Sequence, residues 1–209
     1  MTSHAPRARP RVRRTVALAA LVGVATLGPA LSGCTETEGT GNKGYVTGDG
    51  QVTVLEPDER DAPVELSGED LAGEEVDLAD LRGEPVVLPV WGSWCVPCRA
   101  EAPDVVAAAE ELEDTASFVG VNIRDNEGSA RGFEREFDVP YPSIVDDGTA
   151  LVSFPGTLTP QTVPAFVVLD EEGRVAASIL GELPSTQTLV DLVDEVRGGE
   201  QDAGGAARG

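Results

Sequence analysis

The sequence has very few histidines and cysteines, the side chains that form structural zinc sites and attach haem. His4 is its only histidine, and its three cysteines are Cys34, Cys95 and Cys98. A structural zinc site needs four Cys or His ligands. Covalent haem attachment needs a histidine directly after C-x-x-C, where this chain has Arg99. We therefore predict no metal site and no organic cofactor.

Positive charge is also scarce. The chain carries 15 basic and 37 acidic residues, a formal net charge of -22. Residues 1–33 contain five arginines and no acidic side chain, so the remainder carries 10 basic and 37 acidic residues. Such a surface repels phosphate backbones and anionic lipid headgroups. Nucleic-acid binding and electrostatic docking on a membrane are therefore disfavoured.

The first 33 residues have the pattern of an export signal. A basic segment at 7–14 precedes an uncharged, largely apolar stretch at 15–31. This stretch ends in Leu31-Ser-Gly-Cys34, which resembles the lipobox of bacterial lipoproteins, where cleavage precedes the cysteine and its sulfur is lipidated. We expect Cys34 to anchor the protein to the extracytoplasmic face of the cell membrane. An uncleaved anchor is the alternative, and the export route stays open.

Composition divides the rest of the chain into three parts. Residues 34–60 are polar and rich in Thr, Glu, Gly and Asp, which predicts a flexible tether. Residues 61–198 contain the apolar patterns and are predicted to form one domain with its own core. Residues 199–209 are rich in Gly and Ala, which predicts a disordered tail.

Short apolar strands alternate with amphipathic helices in the predicted domain. The strands are expected at residues 52–55, 64–66, 76–78, 85–90, 118–123, 143–145, 165–169 and 174–179. The helices are expected at residues 99–112, 129–137 and 188–197. The run at 85–90 is apolar throughout, which is typical of a strand buried on both faces. This order predicts an α/β sandwich with a mixed central sheet, flanking helices and an N-terminal β-hairpin.

Two cysteines stand directly after the buried strand, in Trp94-Cys95-Val96-Pro97-Cys98. Free N–H groups at a helix start favour a thiolate over a thiol, so Cys95 is the predicted nucleophile. Cys98 lies about one helical turn further on and can attack a mixed disulfide at Cys95. Pro97 suits the first helical turn. A purely structural disulfide is the alternative, although so short a loop stabilises little.

These residues resemble the thioredoxin superfamily, and within it the extracytoplasmic thiol-disulfide oxidoreductases of the TlpA/ResA type. The resemblance covers residues 61–198 and rests on the segments 94–98, 99–103 and 162–164 together with the export signal. It implies a thioredoxin-like three-layer sandwich and dithiol-disulfide exchange.

The resemblance also implies a site beside the cysteines where a client, meaning a protein whose cysteines exchange with Cys95 and Cys98, would bind. In the family the proline that matches Pro164 follows a cis peptide bond, which is uncommon. The expected client-binding residues are Trp94, Val163 and Pro164. An ordinary trans proline at a strand start is the alternative.

Glu101 matches an active-site glutamate of the ResA type, which implies a base that takes the proton of Cys98. A solvated helix glutamate is the alternative. The chain departs from the pattern at Pro89, six residues before Cys95, where thioredoxins carry a buried aspartate. Proline cannot relay protons, so Glu101 is the main candidate base. Pro89 also removes an N–H from a strand predicted to be central.

Together these features predict a lipid-anchored protein disulfide reductase. The resemblance suggests that it keeps apocytochrome c thiols reduced during cytochrome c maturation and is recharged by a membrane electron carrier of the CcdA type. An oxidant of secreted proteins and a non-catalytic peptide-binding lipoprotein remain alternatives. A thiol peroxidase needs Thr or Ser three residues before its cysteine, where this chain has Gly92. A copper carrier needs a histidine, and none would remain after cleavage.

Overall fold

Ten strands and three α-helices form the part of the chain that the computed structural model describes, which is residues 45–47, 50–146, 148–159 and 161–206. The strands are β1 Tyr45–Thr47, β2 Gly50–Val54, β3 Ser67–Glu69, β4 Glu75–Asp77, β5 Val86–Trp91, β6 Ser117–Phe118, β7 Gly120–Asn122, β8 Ser143–Val145, β9 Ala165–Leu169 and β10 Val175–Gly181. The helices are α1 Val96–Glu111, α2 Glu127–Phe137 and α3 Thr186–Ala206, with short 3-10 helices at Leu78–Leu81 and Ala150–Ser153.

Strand β5 lies in the middle of the main sheet. All six of its residues are buried, because the sequence Val-Val-Leu-Pro-Val-Trp is apolar throughout. It pairs antiparallel with β9 on one side and parallel with β6 and β7 on the other. The order of the sheet is β1-β2-β10-β9-β5-β7-β8. The predicted α/β fold with a mixed central sheet is confirmed.

Alternating side chains of β5 point into two separate cores. Val87 belongs to the core that α1 and α3 cover, together with residues such as Val105, Phe166, Leu189 and Val193. Val86 and Leu88 belong to the opposite core, which residues 64–81 and 150–158 cover. Helix α2 packs through Phe133 against Trp91 and the cysteines. The sheet is therefore covered on both faces, as the three-layer prediction requires.

Pro89 is accommodated by a gap in the pairing between β5 and its parallel neighbours. The register runs through Val87 and Phe118, stops, and resumes at Val90 and Val121. Because proline has no N–H to donate, the ladder is interrupted beside it. The segment predicted as one strand at 118–123 is consequently split into β6 and β7. The antiparallel pairing with β9 continues through Pro89 without a break.

Several predicted boundaries differ from the structure. Strand β3 of the N-terminal hairpin begins at Ser67, after the predicted 64–66, and α1 begins at Val96, before the predicted Arg99. Strand β2, expected at residues 52–55 at the end of the tether, spans Gly50–Val54, pairs with β10 and buries Val52 completely. The tail predicted to be disordered from residue 199 is helical as far as Ala206.

The N-terminal predictions are not tested by the fold. The export signal, Cys34 and the first part of the tether lie outside the described residues. In the described part of the chain, none of the helices combines the length and the apolar character that crossing a bilayer requires.

Asp170 joins the turn after β9 to a distant part of the chain. It is fully buried, and its Oδ2 lies 3.1 Å from Arg60 Nη1 and 2.8 Å from Arg174 Nε. Its Oδ1 accepts hydrogen bonds from the backbone N–H groups of Glu172 and Arg174. One carboxylate thus shapes the β9–β10 turn and compensates two guanidinium groups.

We expect Asp170→Asn to lower the free energy of unfolding by about 3 kcal/mol, because two partly buried cations lose the charge they face. Urea denaturation measures the change. Glu127→Gln is the control, since it removes a carboxylate from the exposed Arg131 ion pair and is expected to cost less than about 0.5 kcal/mol. Equal losses in the two variants would contradict the prediction.

Candidate active site

Cys95 and Cys98 form a disulfide at the start of α1, at the carboxyl end of β5. Cys95 is the residue that caps the helix, and the N–H of Cys98 donates to its sulfur over 3.2 Å. The N–H of Cys95 donates in turn to the carbonyl of Gly92, which closes the preceding loop. After reduction, a thiolate at Cys95 would still accept this hydrogen bond from the N–H of Cys98. Such a bond stabilises the thiolate, as expected for the nucleophile of a thiol exchange. Both cysteines thus lie at the start of α1, directly after β5.

Glu101 is buried on the same helix, one turn after Cys98. Its Oε2 accepts a hydrogen bond of 2.8 Å from the N–H of Leu183, which lies 82 residues away in the sequence. Burial raises the pKa of Glu101 from 4.5 to about 7, and the nearby Glu182 and Asp104 act in the same direction, while the bond from Leu183 opposes them. A carboxyl group with a pKa near neutrality can accept and return a proton.

A small cavity connects Glu101 with Cys98. Its volume of about 20 Å³ is sufficient for about one water molecule. Pro89 forms part of its wall, together with Tyr141 and Phe166. The alternative of a solvated helix glutamate is wrong, because only 8 % of Glu101 is exposed. The residues Glu101 and Cys98 thus line the same cavity.

The three predicted client-binding residues lie around the disulfide. The bond between Val163 and Pro164 is cis, as predicted from the resemblance. Val163 packs against the cluster that contains both cysteines, whereas Trp94 is 49 % exposed. Val96, between the cysteines, is 77 % exposed. The disulfide is therefore bordered by an accessible apolar surface, as a site for extended polypeptide requires.

The loop after β7 contains a residue that sequence reasoning missed. Asp125 accepts hydrogen bonds from the backbone N–H and the hydroxyl of Ser93, and from the side chain of Asn122. Burial alone would raise the pKa of Asp125, but these bonds and one from the N–H of Asn126 together lower it. The ionised carboxylate therefore fixes the loop that precedes Trp94. The sequence signal that could have identified Asp125 is its position at the carboxyl end of a strand parallel to β5, where the sites of such sheets lie.

Comparisons with known proteins agree with this geometry. A family model described as Redoxin matches residues 57–195. The thiol-disulfide oxidoreductase ResA of Bacillus cereus is 29 % identical over 119 residues, 56 % of this chain and 67 % of that protein. ResA of Bacillus subtilis is 27 % identical over 134 residues, 63 % of this chain and 72 % of that protein.

Solved structures of proteins from two Corynebacterium species are also similar. The structure of a DsbF homologue from Corynebacterium diphtheriae has a TM-score of 0.63 and 33 % identity, covering 72 % of this chain and 96 % of that one. A secreted thiol-disulfide isomerase from Corynebacterium glutamicum has a TM-score of 0.58 and 29 % identity, covering 76 % of this chain and 95 % of that one.

We expect Glu101→Gln to gain stability relative to the wild type as the pH rises. The folded state binds the Glu101 proton more tightly than the unfolded state, so this stabilising contribution is present below about pH 4.5 and is lost as the pH rises through about 7. Urea unfolding of both oxidised proteins at about pH 5 and about pH 8 should show the difference growing by about 2 kcal/mol.

The matched control is Glu110→Gln, at an exposed position of the same helix. Its difference from the wild type should be the same at both pH values. The prediction fails if Glu101→Gln and the wild type show parallel pH dependence.

Proposed function

Because the chain belongs to the Redoxin family and is a thiol-disulfide oxidoreductase of the TlpA/ResA type, we propose that it is a membrane-anchored reductant of disulfides outside the cytoplasm. The observation that carries the proposal is the arrangement of Cys95 and Cys98 at a helix start, beside Pro164 and the buried Glu101.

The reductive cycle begins with the dithiol form. The Cys95 thiolate attacks one sulfur of a client disulfide, and the other client sulfur leaves as a thiolate that takes up a proton. Cys98 then attacks the Cys95 sulfur of this mixed disulfide, and Glu101 accepts the Cys98 proton through the shared cavity. The second client sulfur leaves as a thiolate and takes up a proton, so the client departs as a dithiol with two electrons and the enzyme keeps the Cys95–Cys98 disulfide.

The charges around the site support the reductive direction. A dithiol is more strongly reducing when its thiolate form is less stabilised by its surroundings. Within the described residues, the hydrogen bond recorded to Cys95 Sγ comes from the backbone of Cys98. The guanidinium of Arg99, the nearest cation in sequence, is paired with Glu136 at 2.6 Å, and that of Arg124 stacks on the Trp94 ring, with no hydrogen bond to the Cys95 sulfur among the described residues. Glu101 and its acidic neighbours also oppose a second negative charge at Cys98.

The physiological role that the family resemblance supports is cytochrome c maturation. In that role the clients are apocytochrome c molecules whose haem-binding C-x-x-C-H cysteines have formed a disulfide. The oxidised enzyme would be reduced again by a membrane electron carrier of the CcdA type. Anchoring through Cys34 would keep the enzyme close to that carrier.

The first test is the reduction potential of the Cys95–Cys98 pair, followed by tryptophan fluorescence. Trp91 and Trp94 flank the disulfide, and Trp91 stacks on Phe133 at 4.3 Å between ring centroids, so their emission should respond to reduction. We expect a potential near or below about -250 mV, and reduction of a peptide whose disulfide joins the cysteines of C-x-x-C-H.

A potential above about -180 mV would instead identify an oxidant of secreted proteins. Cys95→Ser is the control, because it lacks the disulfide but keeps both tryptophans. If the wild type shows no titratable disulfide, or if Cys95→Ser retains full function in cells, a peptide-binding lipoprotein is the correct interpretation.

Membrane anchoring is tested by Cys34→Ser in the full chain. We expect the wild type to sediment with the membrane fraction, and the variant to move to the soluble fraction because it has no sulfur to lipidate. Cys95→Ser keeps Cys34 and should remain with the membranes. A Cys34→Ser protein that still sediments with membranes would contradict anchoring by a lipid at this residue.

A further inference from the structure

Ion pairing leaves a cation beside the active site uncompensated. The structure describes eight arginines, and six of them lie within 4 Å of a carboxylate: Arg60, Arg82, Arg99, Arg131, Arg174 and Arg197. In the same residues, Arg124 and Arg135 make no ion pair with a carboxylate. Unpaired cations are unusual in a chain with 37 acidic and 15 basic residues. Of these two arginines, Arg124 contacts Trp94, the residue before Cys95.

Arg124 is placed over the exposed tryptophan next to the nucleophile. Its Cζ lies 4.9 Å from the centre of the Trp94 ring, and the ring Nε1 donates to the carbonyl of Ile123. Stacking on an aromatic ring orients a guanidinium but does not neutralise its charge or use its N–H donors. The side chain is exposed, so these donors are open to solvent.

The backbone of Arg124 is held in an unfavourable conformation. Its φ is 50°, in the left-handed region, which disfavours a residue with a side chain. The neighbouring Asp125 fixes this conformation through its bonds to Ser93. Those bonds direct the Asp125 carboxylate towards the loop before the cysteines. Asp125, the acidic residue nearest to Arg124 in sequence, therefore bonds that loop and not the Arg124 guanidinium.

We propose that Arg124 is a specificity-determining residue, whose guanidinium binds a carboxylate that a client presents beside its reactive disulfide. The inference rests on the proposed exchange reaction and names the class of client that it favours, proteins with Asp or Glu next to the attacked cysteine. A planar guanidinium matches a carboxylate through two parallel N–H bonds. The acidic surface elsewhere repels such clients, so Arg124 decides where they can dock.

The test uses the full chain in its reduced form and two disulfide peptides of identical sequence, except that Asp or Asn follows the attacked cysteine. The second-order rate constant for reduction of each peptide is measured by tryptophan fluorescence, and the ratio of Asp to Asn peptide is compared between proteins. We expect Arg124→Gln to lower this ratio about fivefold, the effect of one partly exposed ion pair. About 0.5 M salt should lower the wild-type ratio as well.

The matched control is Arg135→Gln, which changes the net charge equally at an exposed position of α2 without a carboxylate partner. Its ratio should equal that of the wild type. Arg124→Lys keeps the charge but not the planar fork, and an intermediate ratio supports the proposal.

Three results would overturn the inference. Equal slowing of both peptides by Arg124→Gln would mean that Arg124 only supports Trp94. The same change of ratio in Arg135→Gln would indicate bulk charge, and an unchanged ratio would exclude a role in selection. If the wild type reduces neither peptide, the exchange function itself fails and the inference falls with it, a result distinct from active exchange with an unchanged ratio.

Discussion

The burial of β5 on both faces is the constraint on which the rest of the structure depends. A strand covered on both faces must pair on both edges, and here β9 lies antiparallel on one edge and β7 parallel on the other. The end of β5, the end of β7 and the start of β9 consequently meet at one edge of the sheet. They supply Cys95, Asp125 and Pro164 respectively, so the pairing of one strand assembles the site.

Some groups in the site lower the stability of the folded protein while providing chemistry that the proposed function needs. Burying Glu101 disfavours its charged form, which lowers stability at neutral pH but gives a proton acceptor beside Cys98. The left-handed backbone of Arg124 also has a cost, and it presents a cation to clients. Asp125 acts oppositely, because its hydrogen bonds stabilise the loop that holds Trp94. Stabilising residues such as Asp125 and destabilising ones such as Glu101 and Arg124 therefore lie around the same disulfide.

Much of the fold was predictable because its signals are local. The apolar run of β5, the helical spacing after the cysteines and the strand-turn-strand at Asp170 were all recognised from periodicity. The missed features depend on distant pairing. A strand was expected at residues 52–55, at the end of the tether, but that it joins the main sheet is decided by its pairing with β10. Strands β6 and β7 were predicted as one, since the break between them comes from Pro89 on another strand.

By itself the sequence determined where the two cysteines and the helix that holds them lie, since these depend on spacing within one turn. Only the tertiary structure decided the chemistry around them. The pKa of Glu101 follows from burial and a bond to Leu183, 82 residues away, and the loop before Cys95 is held by Asp125, 32 residues beyond Ser93. Such contacts join segments that have no periodic relation in the chain, so they exist only once the sheet brings those segments together.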